Sequence, residues 1–190
     1  GVFRLDPETD KFTVLTEFPK GSIIFDIDKN GTFYSVEGGK LIIIPLGNSH
    51  KKEVVDIKTR GEISYILATD NKVYISTLGC GLIEYDKLSR SLKKYTTENS
   101  DLPSNYCYSS GLTNNNKLIL TGDKGITMFD IEKNTFLCIR QNYLKAPIIN
   151  GCGVCVSDDY IYIGDTKGIT RIDESDFTSV SGNTQPIYFS

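Results

Sequence analysis

Apolar and polar positions alternate along this chain in short blocks of four to seven residues, and polar turns separate the blocks. Residues 63–95 show the unit most clearly. ISYILAT (63–69) is apolar and β-branched, and reads as a strand buried on both faces. Asp70-Asn71 supplies turn chemistry, since their side chains bond local backbone and tolerate left-handed angles. KVYIST is a second strand, Leu78-Gly79-Cys80-Gly81 a tight glycine loop, LIEYD a third strand, Leu88–Ser91 a polar turn, and LKKYTT a fourth strand with its charge outward. Strands of this length joined by such short turns predict an antiparallel four-stranded sheet. No stretch holds a helical period beyond one or two turns.

The unit repeats. NGTFYSVEGGKLIIIP (30–45), DNKVYISTLGCGLIEYD (70–86), NNKLILTGDKGITMFD (115–130) and DDYIYIGDTKGITRID (158–173) carry the same phrase, and GVFRLDP at Gly1 is the tail of a fifth. The glycines that close each phrase (Gly1, Gly39, Gly81, Gly125, Gly168) stand 38, 42, 44 and 43 residues apart. A period of about 40–50 residues with several strands per unit is the signature of a β-propeller blade. The expected fold is therefore all-β: a half blade over 1–18, then blades over about 22–55, 61–95, 105–140 and 148–180. SIIFDID, ISYILAT, YCYSSGLT and GCGVCVS are the least charged segments and are expected innermost. KFTVL, KEVVDI, LKKYT and TFLCI are expected outermost, where Lys and Glu protect exposed edges. Residues 1–18 supply only third and fourth strands, and 148–180 already supplies four. That phase favours a piece of a larger, seven-bladed propeller over a compact four-bladed disc with a spare hairpin.

Charge and composition narrow the function. With 21 Lys and Arg against 24 Asp and Glu, the net charge is −3 over 190 residues. Basic residues are scattered among acids, which argues against a nucleic-acid partner. No apolar run approaches the ~18 residues that cross a bilayer, and no stretch of these 190 residues reads as a signal peptide.

Several motifs invite chemistry. Asp26, Asp28, Asn30 and Glu37, with Gly31 between, match the spacing of an EF-hand calcium loop. The flanking segments read as strands rather than helices. The equivalent turns at 69–72, 114–117 and 157–160 do not keep the ligand set, so a hairpin turn is expected here. Cys152 and Cys155 have redox or zinc spacing, but positions i and i+3 of a strand face apart. Small buried cysteines are expected instead. Five cysteines leave at least one thiol unpaired within the chain. Gly79-Cys80-Gly81 and Gly151-Cys152-Gly153 precede no helix, so neither is a phosphate loop. Asp158-Asp159, Glu174 and Asp176 sit in polar turns, and the single histidine, His50, lies in an exposed turn. No catalytic set, cofactor site or metal site is expected.

Val73–Thr77 followed by Gly81-Leu82-Ile83-Glu84-Tyr85-Asp86 resembles the two-component regulator propeller repeat. Ile161–Gly164 with Lys167-Gly168-Ile169 resembles it too, as does the loop Asp101–Asn105. Tyr34, Tyr74, Ile119 and Tyr162 stand where that family usually has tryptophan. Gln185–Ser190 resembles the start of the immunoglobulin-like domain that follows such propellers, so 183–190 is expected to begin that domain or a linker. The resemblance implies the periplasmic sensor half of a hybrid two-component receptor, anchored in the membrane and joined to a histidine kinase. It implies an oligosaccharide ligand and no catalysis by this segment. The expected partners are that ligand, the rest of the propeller and the immunoglobulin-like domain, with a second copy in a homodimer, and no membrane contact. The cysteines do not themselves indicate an oxidising compartment, but buried free thiols are inert there.

In a propeller, the loops joining strands two and three, and those joining one blade to the next, gather on one face. Such loops carry function because a rigid scaffold positions them. The candidate ligand-binding residues are Arg60, Asn105, Tyr106, Asp123, Lys124, Asn142, Tyr143, Asn150, Asp165 and Lys167. Paired hydrogen-bonding groups beside a flat aromatic suit a carbohydrate. The competing readings are a structural or dimerising propeller and, less favoured, a propeller lyase or glycosidase.

Overall fold

The computed structural model describes residues 2–16, 24–45, 51–140, 153–157, 160–165, 168–177 and 187–189. Strands β1 (Val2–Asp6) and β2 (Lys11–Thr16) pair as a two-stranded sheet. Four antiparallel four-stranded sheets follow. The first holds β3 (Phe25–Ile27), β4 (Phe33–Glu37), β5 (Lys40–Ile44) and β6 (Glu53–Asp56). The second holds β7 (Glu62–Ala68), β8 (Lys72–Leu78), β9 (Leu82–Asp86) and β10 (Leu92–Tyr95). The third holds β11 (Cys107–Leu112), β12 (Lys117–Gly122), β13 (Gly125–Asp130) and β14 (Thr135–Arg140). The fourth holds β15 (Gly153–Ser157), β16 (Tyr160–Asp165), β17 (Gly168–Asp173) and β18 (Ile187–Phe189). Each sheet is a simple meander. The first strands β3, β7, β11 and β15 pack in succession against one another, as blades do around a propeller axis.

One apolar cluster sits between each pair of neighbouring complete blades. Tyr34, Leu41 and Ile43 meet Ile66, Ile75 and Ile83. Tyr74, Leu82 and Tyr95 meet Leu118, Phe129 and Phe136. Ile119, Ile126 and Ile139 meet Ile161, Ile163 and Ile172. Alternate side chains of one strand therefore serve different joints: Ile75 looks back to the preceding blade and Tyr74 forward to the next. This is why the second and third strands read as unbroken apolar runs. Among the first strands, β7 is less covered than the sequence implied, whereas β11 is mostly buried. ISYILAT is mostly half-buried rather than buried on both faces, because its outer edge borders the axis instead of another strand.

The polar end of each phrase has a backbone role. The Asp closing the third strand accepts N–H bonds from the turn that follows. Asp6 takes Glu8, Asp86 takes Leu88 and Ser89, Asp130 takes Glu132 and Lys133, and Asp173 takes Ser175. Four residues after three of these aspartates, Asp10, Arg90 and Asn134 adopt φ of 53°, 57° and 55°, which brings the chain back into the fourth strand.

The last blade departs from expectation. After β17 the chain forms a 3-10 turn, Glu174–Phe177, rather than a fourth strand. The Asp173 N–H donates to the Asp176 carboxylate, and Phe177 (1% exposed) is buried in the joint with Ile161 and Ile163. The fourth strand is β18, whose Tyr188 pairs with Thr170. Residues 187–189, expected to open a following domain, thus complete this blade. Cys155, expected to be buried, is exposed; Cys152 lies outside the described residues.

Candidate functional site

The seam where the second blade passes into the third is built on glycines. Gly79 and Gly81 adopt φ of 97° and 76°, a region that disfavours side chains. A Cβ on Gly81 would stand 2.1 Å from the Tyr95 carbonyl oxygen. The loop is tied by Thr77, whose hydroxyl donates to the Gly81 carbonyl at 2.7 Å and accepts from the Cys80 N–H at 3.1 Å. The Asn105 carbonyl accepts N–H bonds from both Gly79 and Gly81, each at 2.9 Å. The Asn105 side chain is also committed, accepting from the Thr97 N–H at 2.9 Å and donating to Thr97 Oγ1 at 3.2 Å. Asn105 therefore fastens the inter-blade loop and is not free to hold a ligand.

That fastening presents the next residue. Tyr106 bridges to Leu78 across the seam, and its ring lies 3.8 Å from where a Gly79 Cβ would be. A Cβ on Gly122 would come 2.5 Å from the Tyr106 carbonyl oxygen, so the third blade's glycine corner supports the residue from the other side. The ring is 50% exposed. A small concavity beside it is lined by Leu102, Ser104, Thr121, Gly122 and Lys124. Lys124 pairs loosely with Asp123 at 3.8 Å, and the other carboxylate oxygen of Asp123 is buried with no hydrogen-bond partner among the described residues. Burial, aided by the Asp123 charge, pushes the Cys107 thiol beneath this corner up to about 12. Burial likewise raises the Tyr108 phenol, with smaller contributions from Asp123 and Tyr106. The thiol at the base of the concavity is thus kept protonated and inert.

Of the candidates named from sequence, Tyr106, Asp123 and Lys124 come together, with Asn105 as their support. Arg60 is exposed at the preceding seam, and Asp165 accepts the Gly168 N–H at 3.1 Å within its own hairpin. Asn142, Tyr143, Asn150 and Lys167 lie outside the described residues. Sequence reading did not single out Gly79 and Gly122 for the way they frame Tyr106. Their recurrence in the glycine corner of each phrase was the available signal.

The calcium-like stretch has its carboxylates engaged elsewhere. Asp28 accepts the Asn30 and Thr32 N–H groups at 3.0 Å each, the Tyr34 hydroxyl at 3.0 Å and the Lys87 ammonium at 2.7 Å. Asp26 accepts the Ala68 N–H of the next blade at 2.8 Å. Glu37 stands at the far end of β4. Thr69 and Thr113 occupy the same turn position as Asp28, and their hydroxyls accept the N–H of Lys72 and Lys117 as Asp28 accepts that of Thr32. Asp28 is a turn residue that has also acquired a cation. Burial alone would raise its pKa, but hydrogen bonds from Lys87, Thr32 and Tyr34 outweigh that and hold it below the usual carboxylate value.

No family model matches the chain, and no curated protein matches it. Solved structures do. The extracellular domain of the BT3049 hybrid two-component system from B. thetaiotaomicron superposes with a TM-score of 0.65 at 15% identity, over 89% of this chain and 24% of that one. The Cps50 β-propeller domain of Myceliophteria thermophila gives 0.67 at 12% identity, over 96% of this chain and 62% of that one. Virginiamycin B lyase from Staphylococcus aureus gives 0.68 at 12% identity, over 91% and 59%. The chain spans about a quarter of the length of the two-component domain it matches. At these identities the shared property is the fold: the sheets are β-propeller blades, the class that the two-component regulator repeat implies.

Proposed function

We propose that these blades form part of the ligand-sensing propeller of an extracytoplasmic, hybrid two-component receptor, and that the ligand is an oligosaccharide bound without catalysis. One observation carries the reading. A half-exposed tyrosine stands at a blade seam with its ring beside Gly79 and its backbone carbonyl against Gly122, next to the Asp123 carboxylate and the exposed Lys124 ammonium. Sugars stack an apolar face on an aromatic ring and present paired hydroxyls to charged neighbours. The likeness to the BT3049 extracellular domain supports the sensing role and a periplasmic location. Among the described residues no helix is long and apolar enough to cross a membrane.

Calorimetric titration of the protein with a panel of plant and host oligosaccharides tests this. The expected result is heat from at least one glycan class, with affinity reduced tenfold or more by Tyr106→Ala and the unfolding temperature unchanged. Uniform absence of heat overturns the sensing reading. Since a lyase shares the fold, product formation from a bound glycan would move the assignment to an enzyme.

A further inference from the structure

Beside the Tyr106 ring, the seam between the second and third complete blades opens into a void of about 210 Å³, the solvent at its mouth included. Sites that engulf a whole small ligand run to ~300–1,000 Å³. This one does not enclose a sugar ring, but it has room for a substituent of one.

The wall decides which substituent. Leu102, Leu120 and Cys107, all buried, give the void an apolar base, and burial keeps the Cys107 thiol neutral. The hydroxyls that line it are engaged. Ser104 accepts the Tyr106 N–H at 3.0 Å, Thr127 hydrogen-bonds to the Cys138 thiol, and Thr121 has a partner too. A carboxylate, sulfate or ammonium entering this space would give up its water and meet no opposite charge at the base. A methyl group leaves water at a gain and makes contact with the wall. The mouth has a different character. The Lys124 side chain stands there 62% exposed, and its ion pair with Asp123 Oδ2 is long, at 3.8 Å. Most of the donor capacity of the ammonium is left for another acceptor, and a carboxylate oxygen lies beside it. A donor and an acceptor side by side match the C=O and N–H of an amide. An ester offers only the first of these, and the methyl of a deoxy sugar offers neither.

We propose that this void takes the acetamido group of an N-acetylated hexosamine, and that the glycan recognised at Tyr106 carries such a residue. The methyl enters the void, the amide carbonyl accepts from Lys124, and the amide N–H donates to Asp123 Oδ2. The sugar ring stays outside, against the tyrosine. This assignment rests on the oligosaccharide reading above and narrows its ligand to glycans that bear one particular substituent.

Matched disaccharides test it. N,N′-diacetylchitobiose, its deacetylated form chitobiose, and cellobiose share one backbone and differ only in the group on the second carbon of each ring. Calorimetric titration of the protein should show at least tenfold tighter binding of the diacetyl form than of the other two, the effect of one buried methyl and one charge-assisted hydrogen bond. Cys107→Leu, which fills the void from its base, should remove that preference. Lys124→Met leaves the core untouched, and should weaken the diacetyl form at least about fivefold more than cellobiose, the cost of the hydrogen bond alone. Equal binding of the three disaccharides, or an acetyl preference that Lys124→Met leaves intact, overturns the proposal. Binding of 2′-fucosyllactose without binding of the diacetyl form would make the void a site for a deoxy-sugar methyl and overturn it too. If other glycans bind through Tyr106 and no acetylated one does, the acetamido pocket falls while the sensing role stands; if no glycan binds at all, both fall.

Discussion

Two residues of this chain are fixed by their immediate surroundings. Gly81 combines a left-handed φ of 76° with a Cβ position 2.1 Å from a backbone oxygen of the fourth strand. Backbone cannot rotate aside as a side chain can. Gly81→Ala should therefore cost at least about 2 kcal/mol, more than a strained φ alone. Chemical denaturation checks this, with Gly38→Ala as control, since a Cβ at Gly38 meets nothing within 4 Å although its φ of 56° is also left-handed. The second is Asn105. Its side chain is spent on Thr97 and Glu98, holding in place the backbone carbonyl that binds the glycine loop, so Asn105→Ala should lower the unfolding temperature. Any loss of glycan affinity should follow only through displacement of Tyr106. Tyr106→Ala should behave in the opposite way, losing affinity at constant stability, and a pair of melting and titration curves separates the two roles.

At the scale of the element, the notable contact is the clasp between the first two complete blades. The Lys87 ammonium reaches across to Asp28 at 2.7 Å, donates to the Thr69 carbonyl at 2.6 Å and lies 4.5 Å from the centre of the Tyr34 ring. The Asp28 side chain is 4% exposed, so removing its partner leaves a nearly buried charge uncompensated. Lys87→Met should cost about 3–5 kcal/mol, whereas Asp28→Asn combined with Lys87→Met should recover part of that loss. The pH dependence follows from the sign of the shift. Asp28 titrates lower in the folded protein than in the unfolded chain, so its contribution is complete above the ordinary carboxylate value near 3.8. It is lost as pH falls below that value and through the depressed folded pKa. Denaturation midpoints followed down in pH should fall steeply for the native protein and more gently for Asp28→Asn.

The same residue shows what was and was not legible in sequence. Comparison among repeats pointed to a hairpin turn here, because the equivalent turns at 69–72, 114–117 and 157–160 keep no calcium set. Nothing in the repeat pointed to Lys87, which lies 59 positions away and reaches Asp28 only once the blades are stacked. The last blade illustrates the converse. Its strands β15–β17 follow the phrase, but its fourth strand is supplied by Ile187–Phe189 after a 3-10 turn. A strand contributed from beyond a turn leaves no mark on the local period. Among the site residues, Tyr106 could be nominated from loop position, but its framing by Gly79 and Gly122 depends on two blades being side by side.

At the scale of the whole molecule, stability is carried largely by joints between neighbours, since the three largest clusters each use residues of two adjacent complete blades, while a smaller one (Phe33, Ile42, Ile44) lies within the first. The middle joint is the most aromatic. Phe129 stacks on Phe136 with ring centres 4.4 Å apart, and Tyr95 of the preceding blade closes on Phe129 at 4.9 Å and on Phe136 at 5.6 Å. Phe129→Ala empties the centre of that joint and should cost about 3–5 kcal/mol. In a protein with a single core such a loss would be felt everywhere. In an array whose units touch only their neighbours, it should be felt on the two sides of one joint first. Hydrogen exchange can read this directly. In Phe129→Ala, amides of β8–β10 and β11–β14 should lose protection, while those of β4 and β5, which rest on the Tyr34, Leu41 and Ile43 joint, should retain it under mildly destabilising conditions. A uniform loss across all blades would mean that the joints act as one cooperative core and that the repeat is a feature of the sequence rather than of the energetics.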